Sequence, residues 1–219
     1  MKERYLTLEN IDKKSNKWLK NLLAFRKRRN VEFHPNNSAL LIMDMQKYFL
    51  DKSSHAYIPS ASAIIPNIKN LMDAFLKRNF PVFFTRHIDE ENIESSMNKW
   101  WKNSLRETDT LSEIIPELNH PDAIIIKKSH YDALYQTPLE KLLKEKGIKQ
   151  IVITGVMTHL CCETTARSSF MRGFMVFFPI GGSATYNENF HWATLLNLSH
   201  GFAIPILCKE LINSLKRFE

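Results

Sequence analysis

Cysteine is scarce in this chain: there are three among 219 residues. That is too few for a disulfide scaffold, and adjacent Cys161 and Cys162 have neither the CxxC spacing of redox motifs nor metal-finger spacing, so reduced thiols are expected. Long apolar runs are missing as well. None approaches the roughly 18 to 20 residues that span a bilayer, so no membrane partner is expected. The amino terminus, MKERYLTLEN, lacks an apolar stretch followed by a small-residue cleavage site, which argues against a secretory signal and for a cytoplasmic location. Gly181 and Gly182 have neither the Lys-Ser/Thr ending nor the GxGxxG spacing of phosphate loops, so no nucleotide cofactor is expected.

What is present suits one globular domain. Hydrophobic residues make up 44% and charged residues 24%, ordinary values for a soluble fold, and the length suffices for a single α/β domain with a sizeable core. The net charge of +7 is local: residues 1–37 hold ten Lys/Arg against four Asp/Glu, leaving about +1 on the other 182. Within that segment Ile11, Trp18, Leu22 and Phe25, with Leu19 and Leu23 beside them, recur at helical spacing and predict a basic amphipathic helix as an N-terminal extension. Its charged face reads as solvated, because no nucleic-acid-binding motif accompanies it.

From Ser38 to Glu219 short apolar runs alternate with amphipathic stretches. The spacing predicts strands at Ala39–Met43, Pro81–Thr85, Ala123–Lys127, Gln150–Thr154, Phe174–Phe178 and Phe202–Leu207. This rhythm implies a single three-layer α/β/α domain with a six-stranded, mainly parallel Rossmann-like sheet. Ile64, Ile68, Leu71, Met72, Phe75 and Leu76 place one apolar stripe on the helix after the first strand. Thr137 and Glu140 have capping-box spacing, with Pro138 at the first helical position and Gly147 placed to end that helix. Right-handed crossovers bring ligands beyond the carboxyl ends of the strands. Asp44, Lys127 with Lys128, and Cys161 all fall at that edge. A cysteine at a helix amino terminus gains from the macrodipole and from backbone N–H groups that stabilise thiolate and can hold an oxyanion. A carboxylate base and a nearby cation would complete its activation.

Three segments carry a resemblance to a known family: ALLIMDMQKYF around Asp44, IIIKKSHYDALYQTPLE around Lys128, and ITGVMTHLCCETTARSSFMRG around Cys161. Their order and spacing are similar to those of the isochorismatase-like cysteine hydrolases, close to the N-carbamoylsarcosine amidase branch, from about Ala39 to the carboxyl terminus. The resemblance implies a Cys-Asp-Lys triad of Cys161, Asp44 and Lys128, with Lys127 pointing away and with Cys162 and Cys208 structural. It also implies an oxyanion hole from the backbone N–H groups of Met157 and Cys161, after a non-proline cis bond between Val156 and Met157. The implied reaction is hydrolysis of a carbon–nitrogen bond in a small amide or carbamoyl compound through a thioester, by a cofactor-free homo-oligomer, dimer or tetramer. Asp44 and Lys128 are expected to act on the reaction rather than on stability.

Metal-dependent relatives carry an Asp-x-His element after the second strand. Here that stretch reads TRHIDEENIESSM, with His87 and Asp89 in reversed order, so no metal is expected. Isochorismatases have glycine where Cys161 stands, which sets vinyl-ether hydrolysis, and a catalytically idle binding protein, behind amide hydrolysis. Arg86 and His87 are candidates for a substrate carboxylate, and an anionic or polar tail is the expected substrate feature. Phe49, Trp101 and Tyr131 are expected to crowd the pocket. The stretch Arg86–Thr110, with Trp100 and Trp101, is expected to cover it or to form a subunit contact.

Overall fold

A computed structural model describes residues 1–89, 95–102 and 105–217. The remainder of the stretch expected to cover the pocket, 90–94 and 103–104, lies outside the described residues, as do 218–219.

The strands are β1 (Ser38–Met43), β2 (Val82–His87), β3 (Ile124–Lys128), β4 (Gln150–Val156), β5 (Met175–Ile180), β6 (Ser183–Ala184) and β7 (Ala203–Leu207). All pairings are parallel, in the order β3-β2-β1-β4-β5-β7. The sheet is thus the expected one with a seventh strand added: β6 pairs with β4 through Gly155–Ser183 and Val156–Ala184. Two residues without an apolar run leave no periodic signal in sequence. β1 and β4 are buried along their whole length, as continuous apolar runs at the centre of a parallel sheet must be.

The helices are α1 (Ile11–Arg29), α2 (Lys47–Leu50), α3 (Ile65–Leu76), α4 (Ser96–Trp101), α5 (Leu139–Glu145), α6 (Glu163–Met171), α7 (Glu188–Gly201) and α8 (Cys208–Lys216). They flank the sheet: α3 packs on β1 and β2 and against α8, while α6 and α7 pack together over β5 and β7. α3 buries Ile68, Leu71, Met72 and Phe75, the stripe legible in its sequence. α1 lays Ile11, Trp18, Leu19 and Leu22 against β7 and α7 and turns Lys13, Lys17 and Lys20 to solvent.

The capping box at α5 does not form. Pro138 is the N-cap itself, Thr137 Oγ1 donates to the Ala133 carbonyl and accepts from Leu139 N–H, and the Glu140 carboxylate is taken by Lys144 and Arg172. Gly147 follows the helix with φ +67°, the left-handed turn that glycine accommodates without penalty.

The chain crosses over between β1 and β4, whose neighbours lead off in opposite directions, so a crevice opens beyond their carboxyl ends. There Met43 pairs with Gly155. Gly155 has φ +103°, and a Cβ on it would lie 2.1 Å from the Met43 carbonyl oxygen and 2.6 Å from the Met43 nitrogen. Both obstacles are backbone and cannot swing aside. Gly155→Ala is therefore expected to lose at least about 3 kcal/mol of stability or fail to fold. Gly201→Ala, with nothing within 4 Å and no positive φ, should instead gain about 0.4 to 1 kcal/mol by narrowing the unfolded ensemble. Urea melts of the two variants check both expectations.

Candidate active site

Four strand ends converge on the crevice. β1 delivers Asp44, which has φ +48°; this left-handed turn is tolerated by Asp and swings the chain out of the strand just as the carboxylate is presented. Alternation along β2 puts Thr85 and His87 on one face and Arg86 on the other. Thr85 Oγ1 donates to Asp44 Oδ1 at 2.6 Å and accepts from the Asp44 N–H at 3.0 Å. β3 alternates likewise: Ile126 and Lys128 are buried while Ile125 and Lys127 face out. Lys127 pairs there with Glu107. β4 leads through a cis bond between Val156 and Met157 into a wide helical turn, Thr158–Cys162, that carries Cys161 and continues as α6.

The three expected triad residues meet. Lys128 Nζ lies 2.9 Å from Asp44 Oδ2 and donates to Cys161 Sγ at 3.4 Å and to the His130 carbonyl at 3.0 Å. The side chains of Lys128 and Asp44 are completely buried. Burial alone would raise the Asp44 pKa, but the Lys128 ammonium and hydrogen bonds from Cys161 and Thr85 outweigh it and hold the carboxyl below its usual range. Burial would lower Lys128, and the adjacent carboxylate and sulfur reverse that. Burial and then the Asp44 charge push the Cys161 thiol up to about 12, against the opposing pull of Lys128.

A neutral resting thiol suits the expected part of Asp44 as the base that activates it. The resting cluster is a carboxylate, an ammonium and a neutral thiol, because losing the thiol proton to solvent would leave two anions against one cation in a buried site. Moving that proton onto Asp44 instead leaves one anion and one cation, so the internal transfer escapes this penalty.

Above the cluster is a cavity of about 50 Å³, lined among others by Phe49, His87, Trp101, Tyr131, Met157 and Cys161. Trp101 Nε1 donates to the Tyr131 hydroxyl at 2.7 Å. Tyr48, His55, Asp89 and Tyr186 also face it; Tyr48 falls in the motif around Asp44 and Asp89 in the TRHIDEENIESSM stretch, whereas His55 and Tyr186 lie on loops that no motif marks. Arg86 does not face it. Its guanidinium donates to the Ser112 carbonyl at 2.8 Å and the Glu107 carbonyl at 2.9 Å, on the face of β2 opposite Thr85 and His87. His87 Nε2 and Asp89 Oδ1 are 3.0 Å apart. Among the described residues no three His, Cys, Asp or Glu side chains gather to hold a metal. No helix among them is long and apolar enough to cross a membrane.

Residues 38–210 match the isochorismatase domain model. The chain is 39% identical over 189 residues to nicotinamidase 3 of Arabidopsis thaliana, covering 83% of this chain and 91% of that one. It is 32% identical over 184 residues to enterobactin synthase component B of Escherichia coli K12, covering 82% of this chain and 64% of that protein. In fold it is similar to a cysteine hydrolase from Pseudomonas syringae, with a TM-score of 0.83 at 23% identity, covering 87% of this chain and 97% of the other. The N-carbamoylsarcosine amidase of Thermoplasma acidophilum follows at TM-score 0.70 and 20% identity, covering 78% and 96%. The fold is that of the isochorismatase-like cysteine hydrolases, a group that includes amidases. The chain belongs to the isochorismatase family.

The neutral thiol makes a prediction. A group at about 12 is ionised at pH 7 to on the order of 10⁻⁵, against a few per cent for a free cysteine near 8.5. Alkylation of Cys161 by iodoacetamide should therefore be slower than that of free cysteine by on the order of 10³ at pH 7. Its rate should climb about tenfold per pH unit through pH 9. Mass-spectrometric counting of modified Cys161 across that range checks it, and a plateau near neutrality would contradict the thiol assignment.

Proposed function

We propose that this chain hydrolyses the carbon–nitrogen bond of a small, neutral, planar amide, using Cys161 as nucleophile, Asp44 as proton carrier and Lys128 as electrostatic anchor. The observation that carries the proposal is the contact of one buried ammonium with both Asp44 and Cys161 at the floor of an aromatic cavity.

Asp44 takes the thiol proton as sulfur bonds to the substrate carbonyl carbon. The resulting oxyanion is received by the N–H groups of Met157 and Cys161. Asp44 then gives the proton to the nitrogen, the carbon–nitrogen bond breaks, and ammonia or an amine departs from a thioester. A water deprotonated by Asp44 attacks the thioester, and the returning proton restores the thiol as the carboxylic acid leaves. Lys128 keeps one positive charge beside whichever of the two groups is anionic.

The cavity supports the choice of substrate. Room for on the order of four water molecules admits the amide head of a small compound. Phe49, Trp101 and Tyr131 offer apolar faces to a flat ring. Arg86 is spent on carbonyls, so a carboxylate tail finds no guanidinium there, and the anionic tail expected from sequence is not part of the proposal. The nicotinamidase name of the Arabidopsis relative is in keeping with a neutral heteroaromatic amide.

An ammonia-release screen over nicotinamide, benzamide-like amides, ureides and N-carbamoyl amino acids tests the reading. Neutral aromatic amides should turn over best. Cys161→Ala should lose at least about 10³ in kcat, whereas Cys162→Ala should keep most activity. Asp44→Asn, nearly isosteric, should lose a similar factor. Lys128→Ala should also lose about 3 to 5 kcal/mol of stability, because it strands a buried carboxylate; this departs from the expectation that Lys128 serves the reaction alone. Turnover surviving in Cys161→Ala, or hydrolysis of isochorismate but of no amide, would overturn the proposal.

A further inference from the structure

Residues 2–18 precede the segment matched by the family model, yet they run along the back of the site. Glu3 N–H donates to the Tyr186 carbonyl at 2.6 Å. The Lys2 ammonium donates to the His55 carbonyl and sits 4.7 Å from the centre of the Tyr186 ring. Tyr186 and His55 both line the cavity.

Tyr5 reaches deeper. Its hydroxyl accepts from Thr185 N–H at 3.0 Å and lies 3.1 Å from Nδ1 of His191. The same nitrogen is 3.2 Å from Thr158 Oγ1, which donates to Ser183 Oγ at 3.0 Å. His191 is fully buried, its ring set between Tyr5 at 5.5 Å and Trp18 at 4.8 Å. Burial drives its pKa down to about 3, so it is an uncharged hydrogen-bonding group near neutrality. Ser183 belongs to β6, the short strand clasping the end of β4.

Apolar side chains of the same shape could fill this volume without the need to satisfy every buried polar atom. What hydroxyls and an imidazole add is direction. Here the directed end is Thr158, the first residue of the turn that carries Cys161 and the residue directly after Met157.

We infer that Tyr5 is a positioning residue for the nucleophile turn, acting through His191 and Thr158, and that the N-terminal segment is part of the catalytic unit rather than an appendage. The inference rests on the assignment of Cys161 as nucleophile. Displacing a reacting group by about 1 Å can slow a reaction by on the order of 10², so a modest shift of the turn is readable in a rate.

The test uses the whole 219-residue chain and a readout that needs no substrate. The rate of Cys161 alkylation by iodoacetamide at pH 8 is measured for wild type, Tyr5→Phe, Thr158→Val and the double variant, at a temperature well below each Tm. Each single variant should change the alkylation rate by about tenfold, because a displaced turn alters the balance of the Asp44 and Lys128 charges at the thiol. The double variant should shift no further than the larger single shift, since both act through one chain of contacts. If one single variant does not fold, the other against wild type decides the matter. An unchanged rate in both folded single variants, or shifts that multiply in the double, would overturn the inference. A Cys161→Ala enzyme that still turns over amide would instead remove the nucleophile assignment beneath it, so the two failures are told apart.

Discussion

The buried ion pair of Lys128 with Asp44 is the constraint around which the rest is arranged. A carboxylate and an ammonium with no exposure are each expensive to desolvate and tolerable only when held together with their remaining hydrogen bonds made. The Thr85 hydroxyl donates to the carboxylate at one end, and the His130 carbonyl and Cys161 sulfur receive the ammonium at the other. Holding the pair requires the carboxyl ends of β1, β2 and β3 to lie level, which the parallel registers Ile42–Phe84 and His87–Lys128 provide. The thiol then sits in a field it cannot enter as an anion unless a neighbouring negative charge is cancelled first. Nucleophile activation is thereby coupled to proton transfer within the cluster.

Much of this was legible in the sequence because the signals were local. Continuous apolar runs marked β1 and β4, the stripe from Ile68 to Phe75 marked α3, and three motifs located Asp44, Lys128 and Cys161. What was not legible depended on groups distant along the chain. Glu140 had the right spacing for a capping box but found Arg172, 32 residues away, as a better partner. Arg86 looked free to bind an anion, yet β2 runs through it to His87, and strand parity turns it from the crevice toward carbonyls that only the fold brings near. The state of the Cys161 thiol follows from the summed charge of three residues spread over more than a hundred positions, and no window of sequence contains that sum.

The amino-terminal residues show the same limit from the other side. Composition separates them as a basic helix, and their lysines do face solvent. Their apolar face and Tyr5 nevertheless close the back of the core, with Tyr5 and Trp18 each less than a tenth exposed. A charge pattern describes the outside of such a segment well and says little about what its inner face completes.

Chemistry and pocket wall rest on parts of the molecule with different tolerance for change. Asp44 and Cys161 follow the two central strands, where almost any substitution disturbs packing. Trp101 ends α4, a six-residue helix that buries none of its residues. With nothing in α4 buried and Met97 and Trp101 on the cavity wall, replacements there bear on what enters the cavity more than on the core. Over evolutionary time such a division lets lineages diverge in the compounds they accept while inheriting one reaction, since selection can sample new walls without first risking the machinery beneath them.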